Sequence, residues 1–167
     1  MGDIYQFALE FERENREFYE KLAREAASKK LKEVFLELAS EEKKHEDIVK
    51  SLKEGRSLPE TKIDSEIISE ARNVFEEIAS DFTRDFQQNT PADQVEVYRE
   101  AQELEQKSFN FYSKKAEEFE DENIREIFSR LAREEKKHEE ILENIIDLVN
   151  RPETWLEDPE WYHLDEY

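Results

Sequence analysis

A chain of 167 residues is long enough for one well-buried domain. Its composition, 42% charged with 2 glycines and 4 prolines, disfavours collagen-like and turn-rich all-β architectures, which need Gly and Pro at turns and closures. A net charge of −20, from 45 acidic and 25 basic residues, repels phosphate backbones and anionic membrane surfaces and attracts cations; no nucleic-acid or membrane partner is expected.

These residues contain no cysteine, which rules out disulfides, thiolate nucleophiles, iron–sulfur clusters and four-thiolate iron sites within them. A metal here must be held by carboxylate, imidazole or water. The opening Met1-Gly2-Asp3-Ile4-Tyr5-Gln6 has no basic stretch followed by an apolar one, and no apolar run approaches ~18 residues. A soluble cytoplasmic protein is the expectation.

Shifting the sequence by 93 residues aligns its two halves without a gap. The identical pairs include Ala8/Ala101, Glu12/Glu105, Tyr19/Tyr112, Phe35/Phe128 and Leu38/Leu131. The run Glu41-Glu42-Lys43-Lys44-His45-Glu46 recurs unchanged as Glu134-Glu135-Lys136-Lys137-His138-Glu139. The chain is therefore a duplicated unit.

In chain order, steps of three and four predict a first helix over 3–28 with the stripe Tyr5, Ala8, Glu12, Asn15, Tyr19, Leu22 and Ala26. A second, over 30–54, carries Leu31, Phe35, Leu38, Glu42, His45, Val49 and Leu52, and Gly55 is its stop. A long crossover, about 56–90, follows with a short amphipathic helix marked by Ile63, Ile67, Ile68, Ala71, Phe75, Ile78 and Phe82. It leaves the second hairpin free to pack in either orientation against the first.

Thr90-Pro91, a cap followed by a proline at the first helical position, opens a third bundle helix over 91–120, with Tyr98, Ala101, Glu105, Ser108, Tyr112, Lys115 and Phe119. The fourth, over 123–149, carries Ile124, Phe128, Leu131, Glu135, His138, Leu142 and Ile145 and closes at Arg151-Pro152. The expected fold is all-α: a four-helix bundle over 1–150 built from two duplicated hairpins. An acidic aromatic tail over 151–167 contains Trp155, Trp161, Tyr162 and His163, with His163 expected at the surface.

Residues three apart on a helix project about 60° apart, so Glu42 with His45 and Glu135 with His138 can each grip one metal. Glu12 and Glu105 hold equivalent stripe positions on the other two helices. The result is four glutamates and two histidines, the ligand set of di-iron carboxylate bundles. Burying four carboxylates without compensation costs several kcal/mol per ion, more than a domain of ~5–15 kcal/mol net stability absorbs; two divalent cations neutralise them. Oxygen-rich ligands with few imidazoles suit iron, with manganese or zinc as substitutes.

Tyr19 and Tyr112 stand seven residues, two turns, after a ligand glutamate, where a phenol either hydrogen-bonds a ligand carboxylate of another helix or fills the core. Glu41, Glu46, Glu134 and Glu139, with Lys43, Lys44, Lys136 and Lys137, are expected to be solvated.

From about Ile4 to Val149 the chain resembles the rubrerythrin branch of the ferritin-like superfamily, on Glu12-x6-Tyr19, Glu42-x2-His45, Glu105-x6-Tyr112 and Glu135-x2-His138. The resemblance implies a di-iron centre bridged by Glu42 and Glu135, with Glu12 and Glu105 as terminal ligands, His45 and His138 capping one metal each, and Tyr19 and Tyr112 orienting ligands. It implies reduction of hydrogen peroxide or dioxygen in oxidative-stress defence, commonly as a homodimer. Without cysteine, the electrons must come from a separate protein such as a rubredoxin.

Family members carry on the third helix an additional glutamate close to the first ligand, used when an iron shifts between oxidation states; here Ser108 follows Glu105 by three and Glu103 lies off the stripe, so that exchange does not carry over. The sole methionine, Met1, leaves no ligand for the haem of bacterioferritins, and no haem is expected. Ferroxidase or iron-handling activity and a non-catalytic bundle stabilised by metal remain as alternatives.

Overall fold

The computed structural model describes residues 3–26, 28–56, 63–80 and 93–150. Among them are five helices and no strand: α1 (Ile4–Glu25), α2 (Lys29–Glu54), α3 (Ile67–Ser80), α4 (Asp93–Glu118) and α5 (Glu122–Asn150). The Thr90-Pro91 cap, Phe82, Arg151-Pro152 and the aromatic tail lie outside the described residues.

Local chemistry sets the helix ends. Asp3 caps α1, its Oδ1 accepting from the amides of Tyr5 (3.0 Å) and Gln6 (3.2 Å), and Ser28 Oγ accepts from Leu31 N at 3.3 Å to start α2. Asp121 Oδ1 takes the amides of Asn123 (2.8 Å) and Ile124 (3.3 Å) at the start of α5. Gly55 ends α2 at φ +67°, a left-handed conformation that a residue without Cβ adopts freely. The Arg56 amide then donates to Ser51 O at 2.9 Å and the Gly55 amide to Leu52 O at 3.3 Å.

α1 packs most extensively on α2 and α4 on α5, giving two antiparallel hairpins, and α1 also packs against α4. Cross-helix bonds set their relation: Glu12 meets Tyr112, Asn15 meets Ser108 and Tyr19 meets Glu105. Rising numbers in α1 meet falling numbers in α4, so these two helices are antiparallel. His45 with Glu135 and His138 with Glu42 do the same for α2 and α5. A pseudo-twofold axis exchanges the hairpins.

Two apolar clusters form the core, and the axis swaps them. Tyr19, Phe35, Leu38, Ile141 and Leu142 belong to one cluster. Their repeat partners Tyr112, Phe128, Leu131, Ile48 and Val49 belong to the other. α3 breaks the symmetry: Ile67, Ile68, Ala71, Phe75 and Ile78 all join the first cluster, where α3 packs on α2 and α5. This matches the expected crossover helix.

Four residues expected in solvent are buried: Glu41, Glu46, Glu134 and Lys137. The crossover covers Glu134, which accepts from the Ser65 amide and pairs with Lys137 Nζ at 2.7 Å. Glu46 lies under Arg16, whose Nε is 3.3 Å away, and Arg13, at 3.7 Å. Glu41 pairs with Lys44 at 2.9 Å. Each buried charge thus has an opposite charge beside it, the condition on which such burial is tolerated. Lys43 is exposed, and Lys44, Lys136 and Glu139 are half-buried.

Candidate metal centre

Between the two apolar clusters lies a polar layer. α1 supplies Glu12, α2 Glu42 and His45, α4 Glu105, and α5 Glu135 and His138, all fully buried. The stripes that carry apolar residues elsewhere bring all six inward, because each occupies the same helical face as its apolar neighbours.

Their donor atoms converge in two groups. Glu12, Glu42, His45 and Glu135 form one and Glu42, Glu105, Glu135 and His138 the other, with the ligand atoms of each group within 4.8 Å of one another. Glu42 and Glu135 belong to both. His45 Nδ1 lies 2.8 Å from Glu135 Oε1 and 3.6 Å from both Glu12 Oε2 and Glu42 Oε2. His138 Nδ1 lies 2.9 Å from Glu42 Oε1 and 3.4 Å from Glu105 Oε1. The two imidazoles face each other in near-parallel planes, 7° apart, with centroids separated by 5.7 Å.

The tyrosines cross the pseudo-twofold axis. Tyr112 donates its hydroxyl to Glu12 Oε1 at 2.5 Å, and Tyr19 donates to Glu105 Oε1 at 2.5 Å. Each therefore holds the candidate ligand of the opposite repeat. Burial and the adjoining carboxylates, Glu105 for Tyr19 and Glu12 for Tyr112, push both phenols well above the usual range, so they remain donors.

Protons are shared unevenly among the carboxylates. Burial raises Glu42 and Glu135 well above the ordinary range, reinforced by the charges of Glu105 and Glu12. Burial opposes ionisation of Glu105 too, but hydrogen bonding with Glu135 and the charge of His138 bring it down to about 2. Glu12 is also lowered: burial opposes its ionisation, and the charge of His45 with hydrogen bonds from Glu42 and Tyr112 outweighs it. Burial alone would lower His45, but Glu12 and Glu135 raise it well above 6.5. Without cations, the layer keeps protons between its carboxylates.

One oxygen, Oε2, of each of Glu12, Glu42, Glu105 and Glu135 is buried without a hydrogen-bond partner among the described residues. Buried acceptors left open are costly, and four of them converging with two imidazoles can hold divalent cations. The donor set, oxygen-rich with one imidazole per group, fits two irons.

A family model described as Rubrerythrin matches residues 3–146. The chain belongs to the Rubrerythrin family. Members of this ferritin-like family typically bind a di-iron centre, and the polar layer of this chain holds two groups of side chains that could bind metal. No curated protein and no solved structure gives a significant match.

All eight residues singled out from the sequence meet in this layer. A further contact within it had no sequence signal of its own: Asn15 Nδ2 donates to Ser108 Oγ at 3.0 Å across the pseudo-twofold axis. Both stood on the inward stripes, but neither residue type marks a ligand.

Proposed function

We propose that this protein is a di-iron oxidoreductase that reduces hydrogen peroxide or dioxygen in the cytoplasm, in oxidative-stress defence, with electrons from a separate donor protein such as a rubredoxin. The observation that carries this reading is the pair of candidate ligand groups sharing Glu42 and Glu135, since a shared pair of carboxylates would hold two cations side by side. Two bound ferrous ions would supply the two electrons that, with two protons, convert hydrogen peroxide to two waters.

The roles of the chain's own residues follow from position. Glu42 and Glu135, which belong to both groups, would be shared between two cations; Glu12 and Glu105 would each serve one, as would His45 and His138. Glu42 and Glu135 would release their protons to hold a cation. Tyr112 and Tyr19 fix the rotamers of Glu12 and Glu105 through their 2.5 Å bonds, leaving the other carboxylate oxygen for the cation. The apolar clusters above and below the layer keep bulk water away, which strengthens every electrostatic contact within it.

The test is anaerobic reconstitution with ferrous iron, a count of irons per chain, and stopped-flow absorbance on mixing separately with hydrogen peroxide and dioxygen. Two irons per chain that oxidise on mixing support an oxidant-reducing enzyme. Continued iron uptake with dioxygen, and a cage-sized mass in size-exclusion chromatography instead of a dimer, would replace it with iron handling. Two bound metals that react with neither oxidant would leave a metal-stabilised bundle.

A further inference from the structure

Duplication matches all six candidate ligands and both tyrosines of the polar layer in identical pairs, but between Glu12 and Tyr19 on the same stripe it does not. Asn15 of α1 has Ser108 as its counterpart in α4, and both are buried. The two side chains meet across the pseudo-twofold axis, in the middle of the ladder formed by Glu12–Tyr112, Asn15–Ser108 and Tyr19–Glu105. This position is one helical turn from Glu12 and one from Glu105.

Hydrogen-bond accounting orients the carboxamide. Ser108 Oγ donates to Leu104 O at 3.1 Å, the back-bond that a serine within a helix makes to the preceding turn. A hydroxyl has a single proton, so toward Asn15 the Ser108 oxygen can only accept. It does so from Asn15 Nδ2 at 3.0 Å. Asn15 therefore turns its NH2 group to Ser108 and its carbonyl elsewhere, and Asn15 Oδ1 is buried without a partner among the described residues. An open buried carbonyl is answered by a molecule that brings an O–H or N–H.

The two oxidants of the function proposed above differ in this respect. Hydrogen peroxide carries two O–H donors, and dioxygen carries none. We propose that Asn15 Oδ1 accepts a hydrogen bond from hydrogen peroxide and thereby selects it over dioxygen, with Ser108 as the residue that positions the carboxamide. The inference rests on the oxidant-reducing reading. Asn15 exchanges no electron and no proton: hydrogen peroxide would still take two electrons from a bound ferrous pair and two protons to give two waters, as its O–O bond breaks. A site that hydrogen-bonds a substrate O–H discriminates strongly against an analogue lacking it, because its own polar group is then left unpaired.

The experiment compares the wild type, Asn15→Leu, Ser108→Ala and Ser108→Thr, each loaded anaerobically with ferrous iron and mixed with hydrogen peroxide or dioxygen. In Asn15→Leu the ratio of peroxide to dioxygen rates should fall by about tenfold or more, the loss of one hydrogen bond. Ser108→Ala frees the carboxamide to turn and should lower the ratio in part; Ser108→Thr keeps the hydroxyl and should keep the ratio. Irons per chain should stay at the wild-type value, and the metal-free Asn15→Leu protein should melt within about 4 °C of wild type, since it loses an unpaired acceptor along with one bond.

An unchanged ratio overturns the inference, as does an equal fall in both rates, the mark of a purely structural role. Loss of an iron per chain also overturns it, by making Asn15 a ligand. A wild-type protein that consumes peroxide while Asn15→Leu keeps the ratio sinks the inference alone, whereas a wild type that consumes neither oxidant sinks the functional reading and the inference together.

Discussion

Tyr112→Phe isolates one interaction of the polar layer. The substitution removes the hydroxyl that donates to Glu12 Oε1 at 2.5 Å and leaves the ring in place, packed edge-on against Phe128 at a centroid distance of 5.3 Å. The space lost is one oxygen atom, so the cavity contribution is small. The hydrogen bond is charge-assisted, because Glu12 is held below the usual carboxylate range, and bonds of that kind contribute about 1.5–3 kcal/mol. In a domain of this size each kcal/mol moves the melting temperature by roughly 2–4 °C, so the metal-free variant should melt about 3–12 °C below wild type. Calorimetry of the metal-free protein measures this, and a double-mutant cycle with Glu12→Gln assigns it to the pair, with an expected coupling of about 1 kcal/mol or more. A loss under about 0.5 kcal/mol, or full additivity with Glu12→Gln, would refute the reasoning. Tyr19→Phe, the repeat counterpart, should give a similar loss through Glu105.

Three other outcomes follow from the same geometry. Metal-free protein should lose stability as pH rises from about 5 to 8: folding raises Glu42, Glu135 and His45, so the folded state holds protons that the unfolded state has released. Glu12 and Glu105 are ionised in both states over that window and add no slope; a melting temperature that climbs with pH in the metal-free protein would contradict this. Ferrous iron at 1,000 times its dissociation constant should add about 4 kcal/mol for each site it fills by mass action, read as a rise in melting temperature that a chelator reverses and Glu135→Ala abolishes. Gly55→Ala should cost about 1–2 kcal/mol in urea unfolding, from the left-handed backbone alone, because a Cβ there meets no atom of the described residues within 4 Å.

Much of the site was legible before any fold was known. Duplication made each ligand visible twice, and a charged residue that interrupts an apolar stripe at matching positions in both halves marks a buried charge with a purpose. Helix ends were readable within about three residues where a cap residue sets them, as Asp3, Ser28 and Gly55 do. The solvated reading of Glu41, Glu46, Glu134 and Lys137 failed for a different reason. Periodicity reports one inward face, but the crossover at Ser65 and the arginines of α1 bury parts of a second face that a single helix cannot anticipate.

Sequence alone therefore determined the helices, their pairing into hairpins and the identity of the six candidate ligands, because each depends on spacing along one chain segment. Tertiary structure decided the antiparallel crossing of α1 and α4, since a long crossover leaves the orientation of the second hairpin open. That crossing sends Tyr19 to Glu105 and Tyr112 to Glu12, places Glu42 and Glu135 in both ligand groups, and brings Asn15 against Ser108. Such contacts link residues about 90 positions apart, and their physical cause is the common burial of two repeats whose polar stripes can be neutralised only against each other.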